Sequence, residues 1–160
     1  MKELMITIAA LLNISVNAQS LKGYTLGEKL NRPELIMTTV AGIKGGVGVE
    51  TLKDSTIAMI MFIPSTSDEQ NVARITQTEL DRLKTGIEQK YQFTFTKEEE
   101  EYSENFKYSA LRSSDYSLYI IRVDYNQFFD RPYQIAFSIT TRKLFSLYQD
   151  EEQKKANADF

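Results

Sequence analysis

The stretch that most constrains the fold is the apolar run Thr56–Ile63, which Pro64 closes. In a strand, alternate side chains point to opposite faces. Here both faces are apolar: one carries Ile57, Met59, Met61 and Ile63, and the other carries Ala58, Ile60 and Phe62. Burying this run stabilises the fold by an upper bound on the order of 10 kcal/mol. The run therefore predicts a central strand covered on both faces.

The first 18 residues have the pattern of an export leader. Lys2 precedes an apolar run, Leu4–Val16, and small or apolar residues lead up to Ala18. The run is shorter than the roughly 20 residues that a membrane-spanning helix needs. We therefore expect residues 1–18 to be a signal peptide cleaved after Ala18, of the kind found in Gram-negative bacteria, and residues 19–160 to form a single domain. A buried N-terminal helix or strand of a cytosolic protein is the alternative.

Composition narrows the class of protein further. The chain of 160 residues has a formal net charge of −3, and removing residues 1–18 takes away one Lys and one Glu, which leaves that charge unchanged. Nucleic acids and anionic membranes bind proteins through clustered Lys and Arg. Because the net charge of this chain is negative, no nucleic-acid partner is expected. No later run is long enough to span a membrane. Since the chain has no Cys, its stability has to come from packing.

A glycine-rich segment precedes the central strand. Leu35–Ala41 is rich in apolar and β-branched residues and predicts a strand, and Gly45 and Gly46 follow shortly. A phosphate-binding loop would open a helix at this point, but Val47, Val49 and Thr51 continue as a strand. We therefore expect Gly45-Gly46 to be the turn of a hairpin, within a three-strand antiparallel meander.

After Pro64 the apolar period changes to that of a helix. Ser67 and Gln70 fit a capping box, and apolar residues then recur at near-helical spacing as far as Lys90. The pattern predicts one long central helix over about 67–90, lying across one face of the sheet. Gly86 lies within this segment and favours either a close approach or an early end.

The rest of the chain is rich in β-strand patterns and aromatic residues. We expect strands at Tyr91–Thr96, Phe106–Leu111, Tyr116–Tyr125 and Tyr133–Thr140, the last two as neighbours, and an amphipathic C-terminal helix from Thr141. The acidic run Lys97–Glu104 is a solvated loop on the simpler interpretation. A calcium site is the alternative, although the run lacks the usual ligand spacing. The overall prediction is an α+β fold with a mainly antiparallel sheet of about five to seven strands.

The connection from Asn126 to Pro132 holds the candidate site residues. Phe128 and Phe129 are adjacent, and Arg131 follows them. Aromatic residues and Arg are enriched in interaction hot spots, so these three predict a ligand-binding or partner-binding surface. The alternative is that one or both Phe residues pack over the end of the sheet.

The residue types that are missing restrict the chemistry. With no His and no Cys, the Ser-His-Asp and Cys-His catalytic arrangements and sites with His or Cys ligands are excluded. No cofactor or metal is expected. The favoured function is an exported, non-catalytic envelope protein that binds a protein, peptide or small ligand. The alternative is a small carboxylate-dependent hydrolase of envelope glycans, with Asp115, Asp124 and Asp130 as candidate acids.

Overall fold

A computed structural model describes residues 19–66 and 71–158. The predicted signal peptide and the predicted cap at Ser67–Gln70 lie outside these residues. The helices are α1 (Gln77–Tyr91) and α2 (Arg142–Ala158), and the strands are β1 (Ser20–Leu21), β2 (Tyr24–Thr25), β3 (Leu35–Val40), β4 (Ile43–Thr51), β5 (Ile57–Pro64), β6 (Arg74–Ile75), β7 (Thr96–Glu99), β8 (Phe106–Arg112), β9 (Ser117–Tyr125) and β10 (Tyr133–Thr141).

The main sheet is antiparallel and confirms the predicted α+β class, but the described residues form eight strands in it rather than about five to seven, because the short β6 also pairs with β10. Its strands follow the order β3-β4-β5-β10-β9-β8-β7, and the short β6 pairs with one end of β10. β1 and β2 form a separate pair. The predicted neighbours β9 and β10 pair along their whole length, with Ile135 opposite Val123. Neither described helix is apolar enough over a sufficient length to cross a membrane.

The apolar run in the middle of the chain forms β5, which lies between β4 and β10. Ala58, Ile60 and Phe62 are fully buried in the core. Their face is covered by α1, whose buried residues are Leu80, Leu83, Ile87 and Tyr91. On the opposite face, Met59 and Met61 are half-buried and Ile63 is exposed. That face, called here the open face, is covered by α2 only in part.

α2 covers one end of the open face. It packs against β5 and β10, and the hydroxyl of Tyr148 donates to Glu50 Oε2 at 3.2 Å. Strand alternation places Glu50 on the open face, because Val47 of the same strand is in the core. The C-terminal helix was therefore predicted correctly, but cover on both faces of the central strand is complete only on the side of α1.

The prediction of one long central helix over about 67–90 is wrong. α1 has 15 residues, fewer than the 17 of α2. Thr76 caps it through a capping box, in which its hydroxyl accepts from Glu79 N at 3.3 Å and its own N–H donates to Glu79 Oε2 at 2.8 Å. The residues before Thr76 are extended because Arg74 and Ile75 pair with β10. Apolar residues that also fit a helical period are therefore paired in a strand, and the helix begins after them.

The predicted hairpin turn at Gly45-Gly46 is also wrong. The turn lies at Ala41 and Gly42, whose φ angles are 49° and 77°. Gly45 is within β4, where a Cβ atom would lie 2.3 Å from Ile63 O and 2.6 Å from Phe62 Cε2. Glycine is required there because β5 approaches closely.

The predicted strand Tyr91–Thr96 is wrong as well. Tyr91 ends α1, and Gln92 caps it in the left-handed conformation, with a φ of 57°. Phe93 and Phe95 lie in the connection that follows and pack against the core. The strand β7 begins only at Thr96 and includes part of the acidic run. There Glu98 accepts a hydrogen bond from Ser109 and forms an ion pair with Lys107 at 3.0 Å.

Candidate binding site at the β9–β10 connection

The connection between β9 and β10 is a short loop that is held by its own hydrogen bonds. At its ends, Asn126 N donates to Pro132 O at 2.9 Å. The side chain of Asn126 accepts from Phe128 N at 3.0 Å, which is the geometry of an Asx-turn. Local hydrogen bonds therefore hold the backbone that presents the two Phe residues.

Both Phe side chains of this loop are at the surface. Phe128 is 87% exposed and Phe129 is 53% exposed. The Arg74 guanidinium lies 4.6 Å from the centroid of the Phe129 ring, which is a cation–π distance. Phe129 thus contacts Arg74, whereas Phe128 projects into solvent.

Arg131 braces the loop against α1 and β6. Its Nη2 donates to both carboxylate oxygens of Glu79, at 2.8 and 2.7 Å, and its Nε donates to Arg74 O at 2.7 Å. Arg74 returns the contact, since its Nη2 donates to Pro132 O at 2.7 Å and its Nε donates to Arg131 O at 3.2 Å. The two Arg residues form a reciprocal clamp between β6 and the loop.

Glu79 is the anion at the centre of this clamp. Burial acts to raise the pKa of Glu79, but hydrogen bonds from Thr76 and Arg131 outweigh that effect and hold the pKa below its ordinary value. The carboxylate is therefore charged at neutral pH and serves both the helix cap and Arg131. It links the start of α1 directly to the loop.

An open cleft of about 700 Å³ lies beside the clamp. It is lined by Phe129, Arg74 and Arg131 of the clamp region and by Ile43 and Pro64 of β4 and β5. Phe128 is not part of the lining. Of the three site residues predicted from sequence, the structure brings Phe129 and Arg131 to this cleft and leaves Phe128 apart on the exposed loop.

No protein-family model and no curated protein matches this chain. A solved structure, that of a DUF4309 family protein (YjgB) from Bacillus subtilis, is similar over 76% of this chain and 84% of its own length. The sequence identity is 12% and the TM-score is 0.36. A TM-score this low does not indicate a family or a function for this chain.

Sequence reasoning missed two residues of the site, Arg74 and Glu79. For Glu79 a signal was present, because Thr76 and Glu79 have the spacing of a capping box. Arg74 gave no signal, since its role depends on β6 pairing with β10. Both residues were assigned to the interior of the predicted long helix.

The three candidate catalytic acids do not all lie together. Asp115 precedes β9, and Asp124 lies near the end of that strand, so they are roughly 25–30 Å apart along it. A glycoside hydrolase needs its two carboxyl groups about 5–9.5 Å apart. Asp124 lies 3.9 Å from Arg74, and Asp130 lines the cleft. Within residues 19–66 and 71–158, no three acidic side chains cluster in a way that would hold a metal ion.

Proposed function

We propose that this chain is an exported, non-catalytic envelope protein that binds a protein, peptide or small ligand through the β9–β10 loop and the adjoining cleft. The observation that carries the proposal is the exposure of two adjacent Phe side chains on a loop that is itself braced. Exposed apolar side chains are common singly. Two on a fixed loop beside paired Arg residues have the composition of an interaction hot spot.

The clamp supports binding more than catalysis. Arg131 and Arg74 donate to backbone carbonyls and to Glu79, so both guanidinium groups have a positioning role. A surface that is already ordered loses less conformational freedom on binding than a mobile one. Phe128 and Phe129 are then the contact residues, and Arg131 positions them.

The test of binding is capture of a partner from the native envelope by crosslinking and pulldown. The double variant Phe128→Ser with Phe129→Ser is expected to lose the captured partner and keep the melting temperature. A matched control is Tyr102→Ser with Tyr116→Ser, because both Tyr residues are exposed in turns elsewhere. Equal capture by both variants, or a large fall in melting temperature for the Phe variant, would contradict the proposal.

The test of export uses the same preparation. Cleavage after Ala18 predicts a mature N-terminus at Gln19 and recovery of the protein from the envelope fraction. An intact Met1 in cytosolic protein would rule out the leader while leaving the binding site open to its own test. The two parts of the proposed function can therefore fail separately.

A further inference from the structure

The outermost strand β3 presents unpaired backbone groups. β3 pairs only with β4 among the described strands, and its hairpin places Val40 opposite Ile43 across the turn. In such a hairpin, alternate residues bond to the neighbouring strand. Glu34 O accepts from Val49 N at 3.0 Å, which continues that alternation. The N–H and C=O groups of Leu35, Met37 and Thr39 therefore point away from the sheet.

This edge lacks the usual protection against pairing. Natural sheet edges carry charged side chains, Pro or bulges that prevent association, whereas β3 has no charged residue and no Pro over its six residues. A groove of about 250 Å³ runs beside it on the open face, lined by Leu35, Met37, Met61 and Ile63 over Gly46 and Gly48. The unpaired backbone groups of β3 can hydrogen-bond to an extended strand, and the groove can contact the apolar side chains of that strand.

Charged residues outside β3 flank its two ends, with an acid at one end and two cations at the other. Exposed Glu34 precedes the strand at one end. At the other end, Lys22 and Lys90 line a crevice together with Val40. The pKa of Lys90 is lowered, first by partial burial and then by the charge of Lys22, so these two cations repel each other. An anion placed beside Val40 would relieve that repulsion.

We propose that the β3 edge binds the same edge of a second copy of this chain, antiparallel about a two-fold axis. The two sheets then join into one. A strand that is flanked by opposite charges at its two ends is complementary to itself only in the antiparallel direction. In that direction each end of β3 meets the opposite charge of the other copy.

The backbone geometry favours the register centred on Met37. With Met37 opposite the partner's Met37, Leu35 lies opposite the partner's Thr39, and the outward-pointing groups make about six hydrogen bonds. Glu34 then lies opposite the partner's Val40, next to the partner's Lys22 and Lys90. Moving the register by two residues toward the turn places Leu35 opposite Ala41, whose φ of 49° is not extended.

This surface is separate from the proposed ligand site. It contains none of Phe128, Phe129 and Arg131, so variants of that loop leave it intact. Failure of one proposal therefore does not decide the other.

The first test measures the oligomeric state of the purified protein by sedimentation velocity at about 1 to 200 µM, the range for a dissociation constant in the micromolar region. We expect a dimer that dissociates on dilution. Met37→Pro removes an outward-pointing N–H without touching the β4 ladder. It is expected to raise the dissociation constant at least about tenfold, with circular dichroism and melting confirming the fold.

The matched control is Glu99→Pro on the other edge strand, β7. Glu100 N donates to Asn105 O, so the N–H of Glu99 points outward from that edge. This variant is expected to dimerise like the unchanged protein. Loss of the dimer in both Pro variants would show that the effect of Met37→Pro is not specific to the β3 edge and would overturn the proposal.

The second test is a charge exchange. Glu34→Lys is expected to weaken the dimer, and adding Lys22→Glu and Lys90→Glu to it is expected to restore the affinity. A monomer at all concentrations in the unchanged protein overturns the proposal and leaves the edge to an extended segment of another protein. A dimer insensitive to both Met37→Pro and the charge exchange overturns it as well.

Discussion

The two edges of the sheet differ in how they prevent pairing with another strand. The edge strand β7 is exposed along its length and carries Lys97, Glu98 and Glu99, with ion pairs from Lys97 to Glu99 and from Lys107 to Glu98 at 3.0 Å. The opposite edge, β3, has no charge at all. The sheet thus has one charged edge strand and one uncharged edge strand. Charged side chains on an edge strand disfavour pairing with a further strand, so β7 is protected from pairing and β3 is not.

The strands next to these edges also pack differently. On the β7 flank, aromatic rings fill the space above the sheet, with Phe93 and Phe95 centroids 4.8 Å apart and Phe95 and Tyr108 centroids 6.2 Å apart. On the β3 flank, Gly45 lets the backbone of β5 approach closely. The first flank depends on large buried side chains and the second on the absence of one. The following predictions test that difference, from the largest expected effect to the smallest.

Phe95→Ala is expected to have the largest effect, lowering the free energy of unfolding by about 3–5 kcal/mol because it leaves a cavity under the aromatic cluster. Urea unfolding followed by circular dichroism measures it. Phe128→Ala is the control, since that ring is exposed and its loss is expected to change stability by less than about 0.5 kcal/mol. Similar losses for both variants would mean that burial does not distinguish the two rings.

Gly45→Ala is expected to cost about 2–3 kcal/mol, because the new methyl group collides with Ile63 O and the Phe62 ring. Gly48→Ala is the matched control on the same strand. There the nearest atom to a new Cβ is Leu35 Cδ1 at 3.4 Å, which is ordinary contact, so stability should change little. If the two substitutions cost the same in chemical denaturation, close strand approach is not the reason for glycine at residue 45.

Tyr91→Phe should cost about 1 kcal/mol at neutral pH, because the Tyr91 hydroxyl donates to Ser20 O at 2.7 Å. Tyr91 joins the two flanks, since its ring also lies 4.9 Å from that of Tyr119. Burial raises the pKa of Tyr91. The folded state therefore holds its proton more tightly, and stability falls as pH rises above about 10.

Alkaline unfolding measures that effect. Tyr91→Phe is expected to reduce the dependence on pH, leaving the part due to the other tyrosines whose pKa values burial also raises: Tyr24, Tyr119, Tyr133 and Tyr148. Tyr116→Phe, at an exposed ring, is the control for removal of a hydroxyl and is expected to change stability at neutral pH by less than about 0.5 kcal/mol. An unaltered limb in Tyr91→Phe would mean that this hydroxyl does not titrate on unfolding.

Replacing Lys97, Glu98 and Glu99 together by Thr is expected to leave the melting temperature nearly unchanged, because exposed ion pairs contribute little. The same change gives β7 the uncharged character of β3. Concentration-dependent association should then appear at the β7 edge, measured by sedimentation in a Met37→Pro background. Absence of association would show that charge alone does not keep this edge unpaired.

Strong period-two patterns were sufficient to predict the inner strands. β5, β9 and β10 were located from alternation of apolar residues, and the pairing of β9 with β10 followed from the short connection between them. Alternation is a local property, so the sequence displays it directly. The connection between β9 and β10 was located as the segment between these two strands, and the aromatic and Arg composition of that segment singled out Phe128 and Phe129.

The helix boundaries and the roles of the glycine residues could not be predicted from apolar alternation. Val72 and Ile75 fit the helical period, yet Ile75 pairs with Tyr133 of β10 and Val72 pairs with Ser65. Glycine pairs suit a turn and a close approach equally well, and only the position of β5 decided between them for Gly45. Arg74 entered the site by the same pairing.

The sequence by itself determined that this chain builds an α+β fold around a largely buried strand, because a segment that is apolar on both faces has to pack against other elements. It also determined that catalysis or metal binding through His or Cys is excluded. The tertiary structure alone decided where α1 begins, which sheet edge is left without charge beside an apolar groove, and which Arg residues brace the loop. Each of these depends on which distant segments pair, and pairing is a property of the whole sheet that no local pattern contains.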